Sequence, residues 1–129
     1  IEARLAALRA DREQSPRRRF QLKILDAATE AFLGAVSLER AESDFSQAWL
    51  AYGIVPERRG ARFAEEAARA LLDHARAALG VVDVRATCAA GNAASLQVLR
   101  KLGFWREGWM RALGPDGAEE DRLLFRRRR

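Results

Sequence analysis

The sequence predicts an α/β domain built on a mixed, mostly antiparallel central sheet flanked by helices. Three observations predict it. Apolar residues alternate with polar ones at Phe20, Leu22 and Ile24, as on a half-buried strand. The longest amphipathic stretch, Arg59 to Leu79, stands between two strand-like segments, which makes those two strands parallel partners. Strands opened by a hairpin and then interleaved with helices are the pattern of a mixed sheet.

Taken in order, Ile1 to about Gln14 reads as a helix, because Ile1, Leu5 and Leu8 recur at helical spacing among Glu, Arg and Ala, and Ser15-Pro16 stops it. Phe20 to Ile24 and Phe32 to Leu38 form a hairpin around a polar turn at Asp26 to Ala31, and Glu39 to Asp44 is a charged loop. Gln47 to Val55 is a third strand, ended by Pro56. In the long helix, Phe63, Ala67, Ala70, Leu71, His74 and Ala78 define the inward face, and Gly80 is its C-terminal stop. Val81 to Thr87 is a β-branched strand parallel to Gln47 to Val55. Asn92 caps a short helix with Leu96, Leu99 and Leu102 inward, and Gly103 closes it. Phe104 to Leu113 and Arg122 to Phe125 are the last strands, joined by the turn Gly114-Pro115-Asp116-Gly117.

A length of 129 residues, 49% of them hydrophobic, fits one domain over residues 1–129 with a buried core. The net charge of +5 is carried almost wholly by arginine, with runs at Arg17 to Arg19 and Arg126 to Arg129. These read as a solvated face and a frayed basic tail, with a surface for phosphates or acidic partners as the sharper alternative. No aromatics interleave with them, which argues against nucleic-acid binding. Cys88 is the only cysteine, so neither an internal disulfide nor a Cys-rich metal site is expected. No apolar stretch approaches the roughly 20 residues of a membrane span, and no signal-peptide pattern opens the chain, so a cytoplasmic protein is the default. The chain opens on Ile1 rather than Met, as a trimmed piece of a longer protein would.

The chemistry concentrates where the third strand turns into the long helix, at Pro56 to Ala67. A strand end, a Gly-containing turn and a helix start aim several backbone N–H groups at one point, with arginines around them, and such a place suits a pyrophosphate. That segment resembles the acetyl-coenzyme A loop of GCN5-related (GNAT) N-acetyltransferases, with Arg59, Gly60, Ala61, Arg62, Phe63 and Ala64 on the motif. A second motif agrees: Asn92-Ala93-Ala94-Ser95-Leu96-Gln97-Val98-Leu99-Arg100-Lys101-Leu102-Gly103-Phe104 is similar to the corresponding stretch of the Rim-type subfamily, which includes ribosomal-protein N-acetyltransferases. The resemblance covers roughly Phe20 to Phe125.

The resemblance implies a GNAT fold, here without the usual first strand and first helix, in which the strands Gln47 to Val55 and Val81 to Thr87 splay apart to admit the cofactor, and acetyl-CoA as co-substrate with no metal. Backbone amides of Arg59 to Ala64 would hold the pyrophosphate. Ile54 and Val55 would pair with the pantetheine arm, Asn92 would hold its side, and Ser95 would protonate the departing thiolate. The acceptor would be a primary amine, either a protein N-terminus such as that of a ribosomal protein or a small amine, and the resemblance admits a homodimer. A non-catalytic CoA-binding module or a ribosome- or RNA-associated module is the alternative. The chain departs from the family pattern in four places: Arg62 stands for a motif glycine, Leu99 for a frequent Tyr acid, Trp49 for a frequent Glu, and the opening elements are missing. Either the full protein is longer, or a partner covers the bare sheet edge, or the domain is degenerate. Glu39, Glu42 and Asp44 are the carboxylates considered as a general base. His74, Cys88 and Tyr52 read as packed side chains, Tyr52 with its hydroxyl bonded, and Trp105 and Trp109 as core or cleft wall.

Overall fold

The computed structural model of the protein describes residues 3–7, 18–54, 63–114 and 116–128. Seven strands and two helices follow one another as β1 (Ala3–Ala7), β2 (Arg19–Asp26), β3 (Phe32–Arg40), β4 (Gln47–Ile54), α1 (Phe63–Leu79), β5 (Asp83–Ala89), α2 (Ala93–Lys101), β6 (Trp105–Leu113) and β7 (Glu119–Arg128). The strands form one sheet in the order β1-β2-β3-β4-β5-β7-β6. Every neighbouring pair is antiparallel except β4 and β5, which run parallel around the α1 crossover. The mixed, mostly antiparallel α/β architecture is therefore the one expected.

The β2–β3 hairpin is set by Asp26, whose carboxylate accepts the backbone N–H groups of Ala28 at 2.8 Å and Thr29 at 3.1 Å. An aspartate folding onto the amides that follow it replaces ladder bonds at the turn. One face of the sheet is apolar. Ile24, Val36, Leu38, Leu50, Val84, Ala86 and Phe125 are buried on it against α1 and α2. Leu99 and Leu102 supply the α2 side of that core. At the far end of α1, Gly80 takes φ +70°, a conformation open to glycine, and turns the chain into β5. Arg40 stacks over the Phe45 ring at 4.5 Å and donates to the carbonyls of Phe45 and Leu79, tying β3 to the C-terminus of α1.

Several expectations need correction. Ala3–Ala7 is a strand, not part of a helix, and it pairs with Leu22 to Asp26. Helix propensities separate these residues from strand formers by only about 0.5 kcal/mol each. The bare edge of β2 offers a row of backbone groups to pair with, and that outweighs the local preference. The edge expected to be open through a missing first strand is thus occupied by β1. The rest of the Ile1 to Gln14 helix expectation lies outside the described residues. The arginine run is not a frayed tail: Arg126 to Arg128 belong to β7 and face β5. The buried stripe of α1 is Phe63, Ala64, Ala67, Ala68, Leu71, Leu72 and Ala75, which leaves Ala70, His74 and Ala78 in solvent. Trp105 and Trp109 are exposed rather than core, at 49% and 65% of their full accessibility.

Candidate functional site

The parallel ladder between β4 and β5 is short. It joins Gln47 to Asp83, Ala48 to Val84 and Trp49 to Arg85. Beyond Trp49, β4 stays paired with β3 as far as Ile54, and beyond Arg85, β5 stays paired with β7 as far as Ala89. The two central strands therefore part toward their C-terminal ends, as the family resemblance led one to expect. A parallel pair that opens in this way leaves backbone groups on the inner edges of both strands without ladder partners. An extended amide-bearing chain fits such an edge.

The first turn of α2 sits beside this opening. Asn92 is its cap: the side-chain oxygen accepts the Ser95 N–H at 3.1 Å. No acidic residue stands in that turn, so the positive end of the helix is unopposed. Ser95 is half-buried, and its Oγ lies 2.9 Å from the Tyr52 hydroxyl on β4, which also donates to the Ser95 carbonyl at 3.3 Å. Burial raises the pKa of the Tyr52 hydroxyl, and the hydrogen bond to Ser95 only partly offsets that, so the phenol is neutral. Cys88 is buried on the β5 side, and burial likewise pushes its thiol up, with Ser95 and Arg122 acting in the opposite direction. Arg122 is anchored on Thr87 by contacts of 2.9 Å and 3.1 Å, which puts a fixed cation beside the end of β5.

Of the residues singled out from the sequence, Asn92 and Ser95 come together at the opening. Ile54 ends β4 at its rim, paired with Gly34. Phe63 and Ala64 open α1 with buried side chains. Val55, Arg59, Gly60, Ala61 and Arg62 lie outside the described residues. Leu99 is a core residue at 1% exposure, so the position where many family members carry a Tyr acid faces the interior. The carboxylates considered as bases are occupied elsewhere. Glu39 pairs with Arg18 and Arg19, and Glu42 pairs with Arg18. The Asp44 carboxylate accepts from the Ser46 hydroxyl at 2.6 Å and from its N–H, which lowers its pKa. Glu39 sits opposite Trp49, at the closed end of the β4–β5 pair. What sequence reasoning missed is the partner of Tyr52. The two residues are 43 positions apart, and only the α1 crossover with the short β4–β5 ladder brings them together.

A family model described as Acetyltransferase (GNAT) domain matches residues 2–105, and the chain belongs to this GNAT acetyltransferase family. No curated protein matches the chain. Solved structures of similar fold include a ribosomal-protein-S5-alanine acetyltransferase from Vibrio fischeri, 24% identical with a TM-score of 0.76 over 85% of this chain and 61% of that one. Another is RimL, a ribosomal L7/L12 α-N-protein acetyltransferase in complex with coenzyme A, 20% identical with a TM-score of 0.75 over 86% of this chain and 62% of that one. A third is an acetyltransferase of the GNAT family from Bacillus anthracis, 20% identical with a TM-score of 0.72 over 90% of this chain and 69% of that one. At these identities the likeness is one of fold. The chain spans less than two thirds of the length of the first two proteins, at 61% and 62%. Among the described residues no helix is long and apolar enough to cross a membrane.

Proposed function

We propose that this chain transfers an acetyl group from acetyl-CoA to a primary amine. The observation that carries this reading is the opening between β4 and β5 with the Ser95 hydroxyl at its side, at the positive end of α2. The inner edge of β4 beyond Trp49, unpaired with β5 as far as Ile54, suits the amides of a pantetheine arm, with Val55 next in sequence, and Asn92, whose side chain holds the Ser95 N–H, would flank that arm. In this reading the backbone N–H groups of Arg59, Gly60, Ala61, Arg62, Phe63 and Ala64, at the entry to α1, cradle the pyrophosphate.

The amine nitrogen attacks the thioester carbonyl carbon, and a backbone N–H steadies the oxyanion. The C–S bond breaks as the intermediate collapses, the sulfur takes the proton of Ser95 Oγ, and the nitrogen loses its proton to water. Solvent then returns a proton to Ser95. Two acceptor classes are proposed, with the activities that name the fold neighbours as support: a protein N-terminus, as in the ribosomal-protein enzymes, and a polyamine, as in a spermidine N-acetyltransferase chimera from Vibrio cholerae, 20% identical at a TM-score of 0.72. A second reading, a CoA-binding module without turnover, is favoured by Glu39, Glu42 and Asp44 being held away from the opening.

Calorimetric titration with acetyl-CoA tests the proposal. Saturable heat is expected, and Gly60→Asp, which sets a carboxylate against the pyrophosphate, is expected to weaken binding at least about ten-fold, or 1.4 kcal/mol. No heat at millimolar acetyl-CoA overturns the enzyme reading, and an unchanged dissociation constant in Gly60→Asp means the loop is misassigned. Binding without acetylation of spermidine or of a peptide with a free N-terminal alanine supports the module instead.

A further inference from the structure

We infer that Tyr52 is a positioning residue for Ser95: its phenol reaches from β4 to α2 and holds the serine oxygen in place while leaving its proton able to turn toward the opening. The inference rests on the acid role of Ser95 in the preceding section and adds a residue that the family motif does not contain.

A serine hydroxyl in the first turn of a helix has three staggered positions, and its ordinary partner is a backbone carbonyl of the preceding turn. An Oγ bonded in that way turns its proton back into the helix. Here the Ser95 amide is already fixed by the Asn92 side chain at 3.1 Å. The Tyr52 hydroxyl then meets Ser95 twice, at Oγ 2.9 Å away and at the carbonyl oxygen 3.3 Å away. One residue is thus held at its amide, its carbonyl and its side chain. The phenol comes from the part of β4 that has lost its ladder to β5. Tyr52 pairs with Val36 of β3, and the β4–β5 pairing has ended at Trp49. Its ring therefore bridges from the β4 side of the opening to the start of α2.

Two arrangements of the hydroxyl hydrogens fit these distances without any heavy atom moving. With the Tyr52 O–H on the Ser95 carbonyl, Ser95 donates to the phenol oxygen. With the Tyr52 O–H turned onto Ser95 Oγ, the serine proton leaves the phenol and is free to turn toward the opening or toward the neighbouring Cys88 thiol. The second arrangement delivers that proton to the departing sulfur as the C–S bond breaks. The phenol then supports the charge left on the serine oxygen until solvent reprotonates it. Burial keeps Tyr52 neutral, which suits a hydrogen-bond donor and not a base.

The test compares the parent, Tyr52→Phe, Ser95→Ala and the double variant. Turnover is measured with acetyl-CoA against spermidine and against a peptide with a free N-terminal alanine. Tyr52→Phe keeps the ring and its packing, and its acetyl-CoA affinity by calorimetry checks that the site is intact. Each single substitution is expected to lower kcat about ten-fold, with KM for acetyl-CoA within about two-fold of the parent. The double variant is expected to be no slower than Ser95→Ala, because the phenol acts only through the serine. Losses that multiply in the double variant, or a Tyr52→Phe enzyme at parental rate beside a slow Ser95→Ala, overturn the role of Tyr52 and leave the acid in place. A Ser95→Ala enzyme at parental rate, or a parent that acetylates neither acceptor, overturns the acid assignment and this inference with it.

Discussion

The two faces of the sheet are built on different principles. The helix-covered face is aliphatic, from Ile24 through Leu38, Leu50 and Val84 to Phe125. On the other face, one continuous rung crosses six strands as Arg19, Glu39, Trp49, Arg85, Arg126 and Trp105. The first face sets the register, because a one-residue slip would turn every one of its side chains into water. The second face uses that register. Its ions meet across strands only because the apolar face has already aligned them. The energies should be as unequal as the roles. The largest effect is expected for Leu38→Ala, whose side chain is fully buried between β2 and β4: about 2–5 kcal/mol, read from the urea midpoint. A loss below about 1 kcal/mol would mean that the core collapses into the space and that the two faces are less distinct than argued.

This contrast explains what could be read in the sequence. Period-two alternation over Phe20, Leu22 and Ile24 reported the apolar face directly, and α1 between β4 and β5 gave the parallel pair, while its splay was legible only through the family resemblance. Features that depend on distant partners were not legible. Arg126 and Arg128 read as tail residues because their partner Asp83 is more than 40 positions away (the Arg126 contact spans 43). Ala3–Ala7 read as helix because the β2 edge that recruits it is invisible to local propensity. The α1 stripe was misplaced toward His74 because its buried face is lined with Ala64, Ala68 and Ala75, small residues that mark a close approach to the sheet more than a hydrophobic run. Beside the opening, the Asn92 cap was legible from residue type alone. The bond from Tyr52 to Ser95 was not legible, since it exists only across the opened strands.

A smaller loss should come from the strongest ion pair of the polar face. Asp83, itself buried, accepts both Arg126 Nε at 2.9 Å and Arg126 Nη2 at 2.6 Å, while Arg126 Nη1 reaches Glu107 at 3.0 Å. Asp83→Asn removes the charge but keeps the shape, and about 1–2 kcal/mol is expected. The Arg126 guanidinium holds the Asp83 carboxyl below its ordinary value. Its stabilisation is therefore fully present above the unfolded value near 4 and fades as pH falls through the lower folded value. Urea midpoints of parent and Asp83→Asn should differ at neutral pH and converge on acidification through that range. A difference that persists unchanged at the lowest pH would show that the pair acts through packing rather than charge.

The smallest effect should come from an ion pair that looks similar in outline. Arg111 of β6 faces Asp121 of β7 directly in register, with contacts of 3.1 Å to Asp121 and 3.8 Å to Glu119, yet all three side chains are more than 60% exposed. Two long side chains held together in water gain little beyond the entropy they lose. Arg111→Ala is expected to shift stability by no more than about 0.5 kcal/mol, and 1 M salt should leave that difference unchanged within error, since little attraction exists to be screened. The paired measurement with Asp83→Asn then isolates burial as the variable, because both sites are arginine–carboxylate pairs between antiparallel strands ending on β7. Should Arg111→Ala cost as much as Asp83→Asn, exposure would not be what ranks these pairs. The polar face would then stabilise the sheet along its whole length rather than only beside β5.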